Sequence, residues 1–460
     1  MQTSPRAAAV TQRSAQAQLT VAALGTLLTL VAFTLPIATL NSTAATLGAG
    51  TSGRTWILSS MSIGLGAALL STGTVSDDLG RRRTFAVGVL VLGIASVLAA
   101  VSPGVLLFVG ARVLQGIGGA AVIASSLGII ATTFPPGPER AAASGVWGAS
   151  VGAGIAIGPL MAAGFDVLLS WRDAYWVLAA DGMVLGVVAL RVVTESRSED
   201  ARPIDLPGLV LLAGGMSALL AALVEGRLGW TSPTTLSLAV ASVVLLVGFV
   251  AVERRSTSAM LDLGLFRHPP FVAATVAAFA TGAGVISLTS YFPGFAGRAL
   301  GVSALQASLL MLLWSATSVV TALLARRIPL SVPGRVQLAI GLLGVAVGQA
   351  VQYGVGTGST WVRFVPGLFV AGVASGVLNA ALGREAVASV PPGRGSVGSG
   401  ANNTARYVGS AVVVTVVSVI AAGTTSADLV EGWNRAAIVT ALVSVVGALV
   451  VLASRARKQR

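Results

Sequence analysis

The side chains able to do chemistry in this 460-residue chain are few and unevenly placed. There are 16 acids against 29 lysines and arginines, one histidine (His268) and no cysteine. The one lysine, Lys458, lies in the terminal run Arg455-Ala-Arg-Lys-Gln-Arg460. This inventory removes disulfides, cysteine or multi-histidine metal sites, thiolate-bound haem and imidazole proton relays. A phosphate-cradling Walker loop also needs a lysine, which Lys458 cannot supply from the tail. No nucleophile, base and orienting group can be assembled, so the chain does not read as an enzyme and calls for no cofactor. What remains is charge in unusual places. Gly73-Thr-Val-Ser-Asp77-Asp78-Leu79-Gly80-Arg81-Arg82-Arg83 gathers acids, glycines and arginines in eleven residues. Arg112 stands three residues before Gln115, Arg406 one turn after Asn402 and Asn403, and Asp181 within an apolar stretch. A carboxylate in such a stretch is costly while charged and can carry a proton, and a buried arginine can bind an anion or brace neighbouring helices.

The frame that must hold these groups is strongly apolar. Hydrophobic residues make up 55% and charged residues 10% of the chain, with a mean hydropathy of +0.87, which is too apolar for a soluble globule. A spanning helix needs about 20 apolar residues. Charge-poor stretches predict fourteen spans, near 19–40, 55–73, 84–101, 104–130, 141–165, 174–193, 206–224, 234–252, 270–293, 304–325, 336–354, 361–382, 398–422 and 434–453. The first follows a polar leader, Met1 to Gln18, and exceeds the core of a secretory signal, so it reads as a retained helix. With both termini inside, only six basic residues fall in outside loops (Arg54, Arg172, Arg227, Arg298, Arg363 and Arg435) and two within spans (Arg112 and Arg406). The rest lie in cytoplasmic segments, as the positive-inside rule requires. The net charge of +13 is then spread beside anionic headgroups, which argues against nucleic acid as a partner. The expected fold class is an all-α integral membrane protein.

Between the second and third spans, the GxxxDxxGRR pattern of Gly73, Asp77, Gly80, Arg81 and Arg82 resembles the cytoplasmic-loop signature of the major facilitator superfamily of secondary transporters. Physically, the glycines permit a tight turn and close helix approach, and Asp77 offers a carboxylate that the positive N-terminal end of a neighbouring helix can hold. The resemblance implies that this neighbour belongs to the opposite bundle and that the loop latches the cytoplasmic side. Here that helix is the thirteenth span, entered through Gly398, Gly400, Asn402 and Asn403. Asp78 stands where the family often carries a basic residue. Ser331 to Gly334 and Arg335 repeat the Gly-Arg turn half a molecule later without the acid. The family fold implies two six-helix bundles, hence a leader 1–18, a first bundle 19–193, a linker with two inserted helices 194–269, a second bundle 270–453 and a basic tail 454–460.

The spacing Arg112-Val-Leu-Gln115-Gly116 resembles the family's second signature, on a helix that lines the central cavity. A charge at that depth costs about 2.5–3.5 kcal/mol on insertion scales, so Arg112 should face a cavity or a polar partner, or act as a strut held by backbone carbonyls. In the fifth span, at about 100° per residue, Gly145, Gly148 and Gly152 share one face and Gly154 and Gly158 lie roughly opposite, allowing tight packing on both sides. The run ending in Gly158-Pro159 resembles the signature of proton-coupled exporters. Ser170-Trp171-Arg172, Asp205-Leu206-Pro207-Gly208 and Ala401-Asn402-Asn403-Thr404-Ala405-Arg406 resemble the fourteen-span drug/proton antiporters. One departure stands out: that branch usually carries an aspartate in the first span, and Ala32 holds its place here.

The resemblance implies an exporter rocking two bundles around a midplane cavity, and the expectation is a monomer in a bacterial cytoplasmic membrane, the excess of arginine over lysine pointing to a GC-rich bacterial genome. Its partners would be a small amphipathic solute, protons and the lipid bilayer, and the proton gradient its energy source. Arg112 with few cavity acids favours neutral or anionic cargo. Asp181 is the one acid well inside a span, able to couple protons, pair with Arg112 or bond a neighbouring helix. Asp166, Glu225 and Glu385 lie at the rims. Arg406 could bind an anion or brace the inner gate, and Trp314, Met311, Trp56, Met61 and Trp147 could form an apolar, adaptable pocket. The missing first-span acid leaves open an uncoupled facilitator or importer on the same fold. A non-transporting membrane sensor is a third reading.

Overall fold

The computed structural model describes residues 5–256, 259–329, 331–423 and 425–454, so the basic run from Arg455 lies outside the described residues. Among them, fourteen helices are long and apolar enough to cross a membrane. The first span is a broken helix, α1 (Pro5–Thr34) and α2 (Pro36–Thr46). It breaks where Pro36 lacks the N–H that would bond the carbonyl of Ala32, four residues back. Single helices follow: α3 (Thr51–Leu79), α4 (Arg81–Ala100), α5 (Val105–Thr133), α6 (Pro138–Leu168), α7 (Trp171–Val192), α8 (Leu206–Gly226) and α9 (Pro233–Glu253). The ninth span is α10 (Pro269–Thr281) and α11 (Ser287–Leu300), joined through a π turn over Gly282–Ile286. Then come α12 (Ala304–Leu324), α13 (Gly334–Val351), α14 (Val365–Ala388), α15 (Gly395–Ile420) and α16 (Ser426–Ala453).

Two apolar cores hold these helices together. The first joins α1 to α7 around Phe85, Phe108, Trp147, Trp171 and Tyr175, all buried. The second joins α10 to α16 around Phe292, Phe295, Phe364 and Trp433, with the Phe295 ring stacked on Trp433 at 4.5 Å. Outward faces carry apolar stripes instead. Ile438, Leu442, Val446 and Leu449 are exposed along one side of α16, and Val240, Val243, Val244 and Val247 along α9. Exposed valine and leucine in helical register are the face a lipid solvent selects, because lipid satisfies no polar group.

The inserted helices are not bystanders. Leu212 and Met216 of α8 pack with Ala67 and Leu70 of α3 and with Val397 and Ala401 of α15, so α8 covers a seam shared by both cores. At its outer end Arg227 reaches Ser59 of α3 and Thr415 of α15, each at 3.4 Å. Burial there pulls its guanidinium down to about 10. Helix α9 lies outside α8, where Leu246 packs against Gly215.

The cysteine-free sequence allows a direct test of sidedness. Cysteine placed at Arg83, whose side chain is 73% exposed, should react with an impermeant maleimide only after cells are opened. Cysteine at the exposed Thr231 should react in intact cells. The reverse pattern would invert the topology.

Candidate functional site: a gate between two bundles

The densest polar cluster forms where α3 ends. Gly80 takes φ +126°, a conformation an L side chain rarely adopts, and this turn sends Arg81 back along the helix. Asp77 is fully buried. Its carboxylate accepts from Arg81 Nε at 2.9 Å and Nη2 at 2.6 Å. It also accepts from the backbone N–H groups of Ser396 at 3.2 Å and Val397 at 2.9 Å. Those amides belong to the first turn of α15, whose N–H groups have no partner within the helix and whose dipole favours an anion. Arg81 Nη2 continues to the carbonyl of Gly393 at 2.6 Å, and the Ser76 hydroxyl to Ser396 Oγ at 3.0 Å. Gly73 makes the approach possible: a Cβ there would lie 2.6 Å from the Ser396 carbonyl oxygen. The unusual second acid is answered in the same way. Asp78 pairs with Arg394 Nη1 at 2.7 Å and accepts from the Arg202 amide at 3.2 Å. Asn402 and Asn403 lie beyond this latch, because α15 starts at Gly395, ahead of the expected entry. Asn402 donates to the Ala274 carbonyl of α10 at 3.0 Å and Asn403 to Ser399 of its own helix.

Helix α6 makes the second contact between the cores. Gly148 lies against Asn379 and Ala380 of α14, Gly145 against the Ala322 carbonyl of α12, and the Ser315 hydroxyl donates to the Gly152 carbonyl. On the other side, Gly154 meets Leu27 and Leu30, and Gly158 meets Val31 and Thr34, all of α1. Pro159 sits within the helix one turn after Ile155, which touches both cores. Trp147 donates to Ser126 Oγ at 3.0 Å and packs on Gly383 of α14. Among the described residues, every direct hydrogen bond between α1–α7 and α10–α16 lies between the middle of the helices and their cytoplasmic ends. The outer halves share none.

The two intramembrane arginines have separate partners. Arg112 is fully buried and donates to the Ala32 carbonyl at 2.6 Å, the Phe33 carbonyl at 3.2 Å and Gln115 Oε1 at 2.7 Å. Gln115 passes the contact to Ser96 at 2.7 Å. The carbonyl that Pro36 leaves without a backbone donor is thus the one Arg112 grips, which is the geometry of a strut. Ala32, at the place of the missing aspartate, is itself fully buried. Arg406, 5% exposed, donates to Asn379 Oδ1 at 3.1 Å, and its neighbour Tyr407 meets Phe33 of α1 edge-on at 5.6 Å. Trp314 is buried in the second core with Nε1 unpartnered, as are the hydroxyls of Ser318 and Ser375.

Asp181 is not brought to this interface. Gly182 turns inward onto Gly93 of α4, so its neighbour is rotated toward the exposed side that also carries Val184 and Val187. It makes no hydrogen bond or ion pair among the described residues. At the rims, Asp166 is held by Ser42 at 2.7 Å and Glu225 by Trp56 Nε1 at 2.5 Å. A cleft of about 870 Å³ opens near the cytoplasmic ends of α1, α6 and α12, lined by Gln16, Leu19, Phe134, Glu139, Val146 and Arg326 among others. Arg394, Ser396 and Val397 complete the cluster around Asp77 and Asp78, and the sequence does not flag them. The one available signal was that two adjacent acids, Asp77 and Asp78, both need partners.

The Major Facilitator Superfamily model matches residues 22–414. The chain is 30% identical over 392 residues to the Multidrug resistance protein Stp of Mycobacterium tuberculosis, covering 84% of this chain and 72% of that protein. It is also 30% identical to the Puromycin resistance protein pur8 of Streptomyces alboniger, covering 86% and 80%. Among solved structures, that of the human organic anion transporter MFSD10 (TETRAN) superposes with a TM-score of 0.68 at 16% identity, covering 95% of this chain and 99% of that one. This last likeness is one of fold.

Two substitutions probe the site. Removing one partner of a buried ion pair costs about 3–5 kcal/mol, so Asp77→Ala should release the cytoplasmic ends. Spin labels on cysteines at Arg83 and Pro392 should then report a longer distance than in the parent, and an unchanged distance would remove the latch. Arg112→Ala strands two carbonyls and Gln115, at about 1–3 kcal/mol per buried unpaired group. It should lower the thermal unfolding midpoint, and Arg112→Lys, which lacks the planar fork, should restore only part of it.

Proposed function

The chain belongs to the major facilitator superfamily, and from that premise we propose that it exports amphipathic small molecules such as antibiotics or secondary metabolites, driven by the proton gradient. It is a non-enzymatic transporter of the bacterial cytoplasmic membrane type. The observation that carries the reading is the one-sided seam: the buried Asp77–Arg81–α15 cluster joins the two cores at the cytoplasmic end, while among the described residues the outer halves share no direct hydrogen bond. That is the inward-closed half of an alternating-access cycle. Resistance proteins against multiple drugs and against puromycin as relatives support outward movement of such compounds.

The two bundles are the moving bodies. The apolar cores give each its rigidity, and the glycine contacts of Gly145, Gly148 and Gly152 on α12 and α14 give a close surface on which they rock. One chain supplies both bundles and the seam, so a monomer suffices. Cargo is neutral or anionic, a reading supported by Arg406, a buried cation beside the contact of Tyr407 with Phe33 of the other core, with no acid bonded to it among the described residues. Arg112 acts through position: by holding the Ala32 and Phe33 carbonyls it fixes the bend between α1 and α2, and with it the wall against which Gly154 and Gly158 pack.

A second reading, an uncoupled facilitator, is favoured by the buried Ala32 in place of an acid. Proteoliposomes separate the two. With an imposed pH gradient, the exporter should concentrate a carboxylate-bearing fluorescent drug uphill and lose it when a protonophore is added, while ignoring a quaternary ammonium dye. Equilibration that is indifferent to the gradient would favour the facilitator, and preference for the dye would overturn the cargo assignment.

A further inference from the structure

We propose that Asp205 and Glu253, at the cytoplasmic ends of the inserted helices, form a proton-binding site in which two carboxyl groups share one proton. Through it the site governs how firmly the segment after α9 grips the gate helix α3. Each carboxyl is fixed at one oxygen and free at the other. Asp205 caps α8, its Oδ1 accepting from the Gly208 amide at 2.9 Å. Glu253 closes α9, its Oε1 accepting from the Leu261 amide. The remaining oxygens, Oδ2 of Asp205 and Oε2 of Glu253, have no partner, although the residues are only 7% and 4% exposed. Both oxygens converge on one point: a Cβ on Gly208 would lie 2.7 Å from the first and 3.1 Å from the second.

Two ionised carboxylates are acceptors only and cannot bond each other. Without a cation they also repel across a site with little water to screen them. One proton between the free oxygens satisfies both groups at once, the arrangement of a carboxyl dyad. Among the described residues no cation pairs with either carboxyl: Arg254 and Arg255 are exposed, as are Arg202, Arg267 and His268. Asp262 is exposed and bonds the Gly264 amide. On α3, Asp77 and Asp78 are taken by Arg81 and Arg394. The proton therefore exchanges with the cytoplasm, on whose side both helix ends lie, and its loss leaves a dianion whose members push apart.

The connection to the gate is short. Leu261, held by Glu253, follows Met260, whose carbonyl accepts from Thr74 Oγ1 at 3.3 Å. Thr74 lies one turn before Asp77, and Met260 and Leu261 pack with Leu70 and with Val397 of α15. A protonated pair keeps this segment clamped on the closed gate, and a deprotonated pair loosens it. The inference supplies a proton site for the export reading, but its stability and spectroscopic tests do not require transport.

The purified full-length protein serves for all measurements. The native state holds a proton that the unfolded chain releases at neutral pH, so the thermal midpoint of the wild type should fall as pH rises through release of that proton. Glu253→Gln donates an amide to Asp205 Oδ2 and cannot titrate there, so its profile should lose this fall. Asp205→Asn, still able to cap α8 through its side-chain oxygen, should lose it too and serves if the first variant does not fold. The infrared difference between wild type and Glu253→Gln at neutral pH should contain the band of one protonated carboxyl. The Arg83–Pro392 spin-label distance should lengthen at alkaline pH in the wild type only. Variants that keep the wild-type pH dependence, or a missing band, would overturn the proposal, as would stabilisation of the wild type by added sodium chloride that choline chloride does not reproduce, which would make the pair a cation site. Should export fail in every assay while these signatures hold, the proton site stands and the export reading falls.

Discussion

One buried carboxylate, Asp77, decides how the two halves of this protein meet. It is the point at which an arginine of its own bundle and two backbone amides of the other converge on a single anion. In water each such contact would contribute little, but away from solvent a charge left without partners is expensive. The contact is therefore all or nothing, which suits a gate that must be either shut or released. The glycines around it exist for the same reason. Gly73 and Gly80 remove side chains or permit a turn where the bundles would otherwise be held too far apart for the carboxylate to reach.

A second constraint is the cost of burying polar groups without partners, and the structure answers it locally. Pro36 breaks a helix and frees a carbonyl, and Arg112 uses it as an acceptor, so two expensive groups satisfy each other. Asp78 and Arg394 do the same across the bundles. Asp205 and Glu253 solve the problem with no arginine at all, which is why a proton is the natural third member of that site.

Much of the architecture was legible in the sequence. The bilayer forces long apolar helices, so hydropathy found all fourteen spans, although observed helices such as α3 and α16 run beyond the apolar stretch because a helix does not stop where lipid does. The Asp77 loop was legible because glycines, acid and arginines are adjacent in sequence. Its partners Arg394, Ser396 and Val397 were not, since nothing local marks a residue more than 300 positions away as the other half of a bond. Arg112 announced that it needed a partner without saying that Pro36, on another helix, had left one. Asp181 shows the opposite limit. Its depth could be counted along the chain, but its direction depends on Gly182 packing on Gly93, a fact of assembly. Asp205 and Glu253 sit at helix ends, where acids are commonplace, and only their shared burial sets them apart.

Helix α8 lies along one flank of the joint and touches both bodies, while on the opposite flank α6 meets α12 and α14 with no such cover. Hydrocarbon chains therefore encounter two unlike edges of the same machine. The covered edge behaves as a gasket that must slide whenever the halves tilt. The cleft beside α1 and α12 also lies along the bare edge. The added pair of helices thus gives an otherwise twofold-like engine a front and a back.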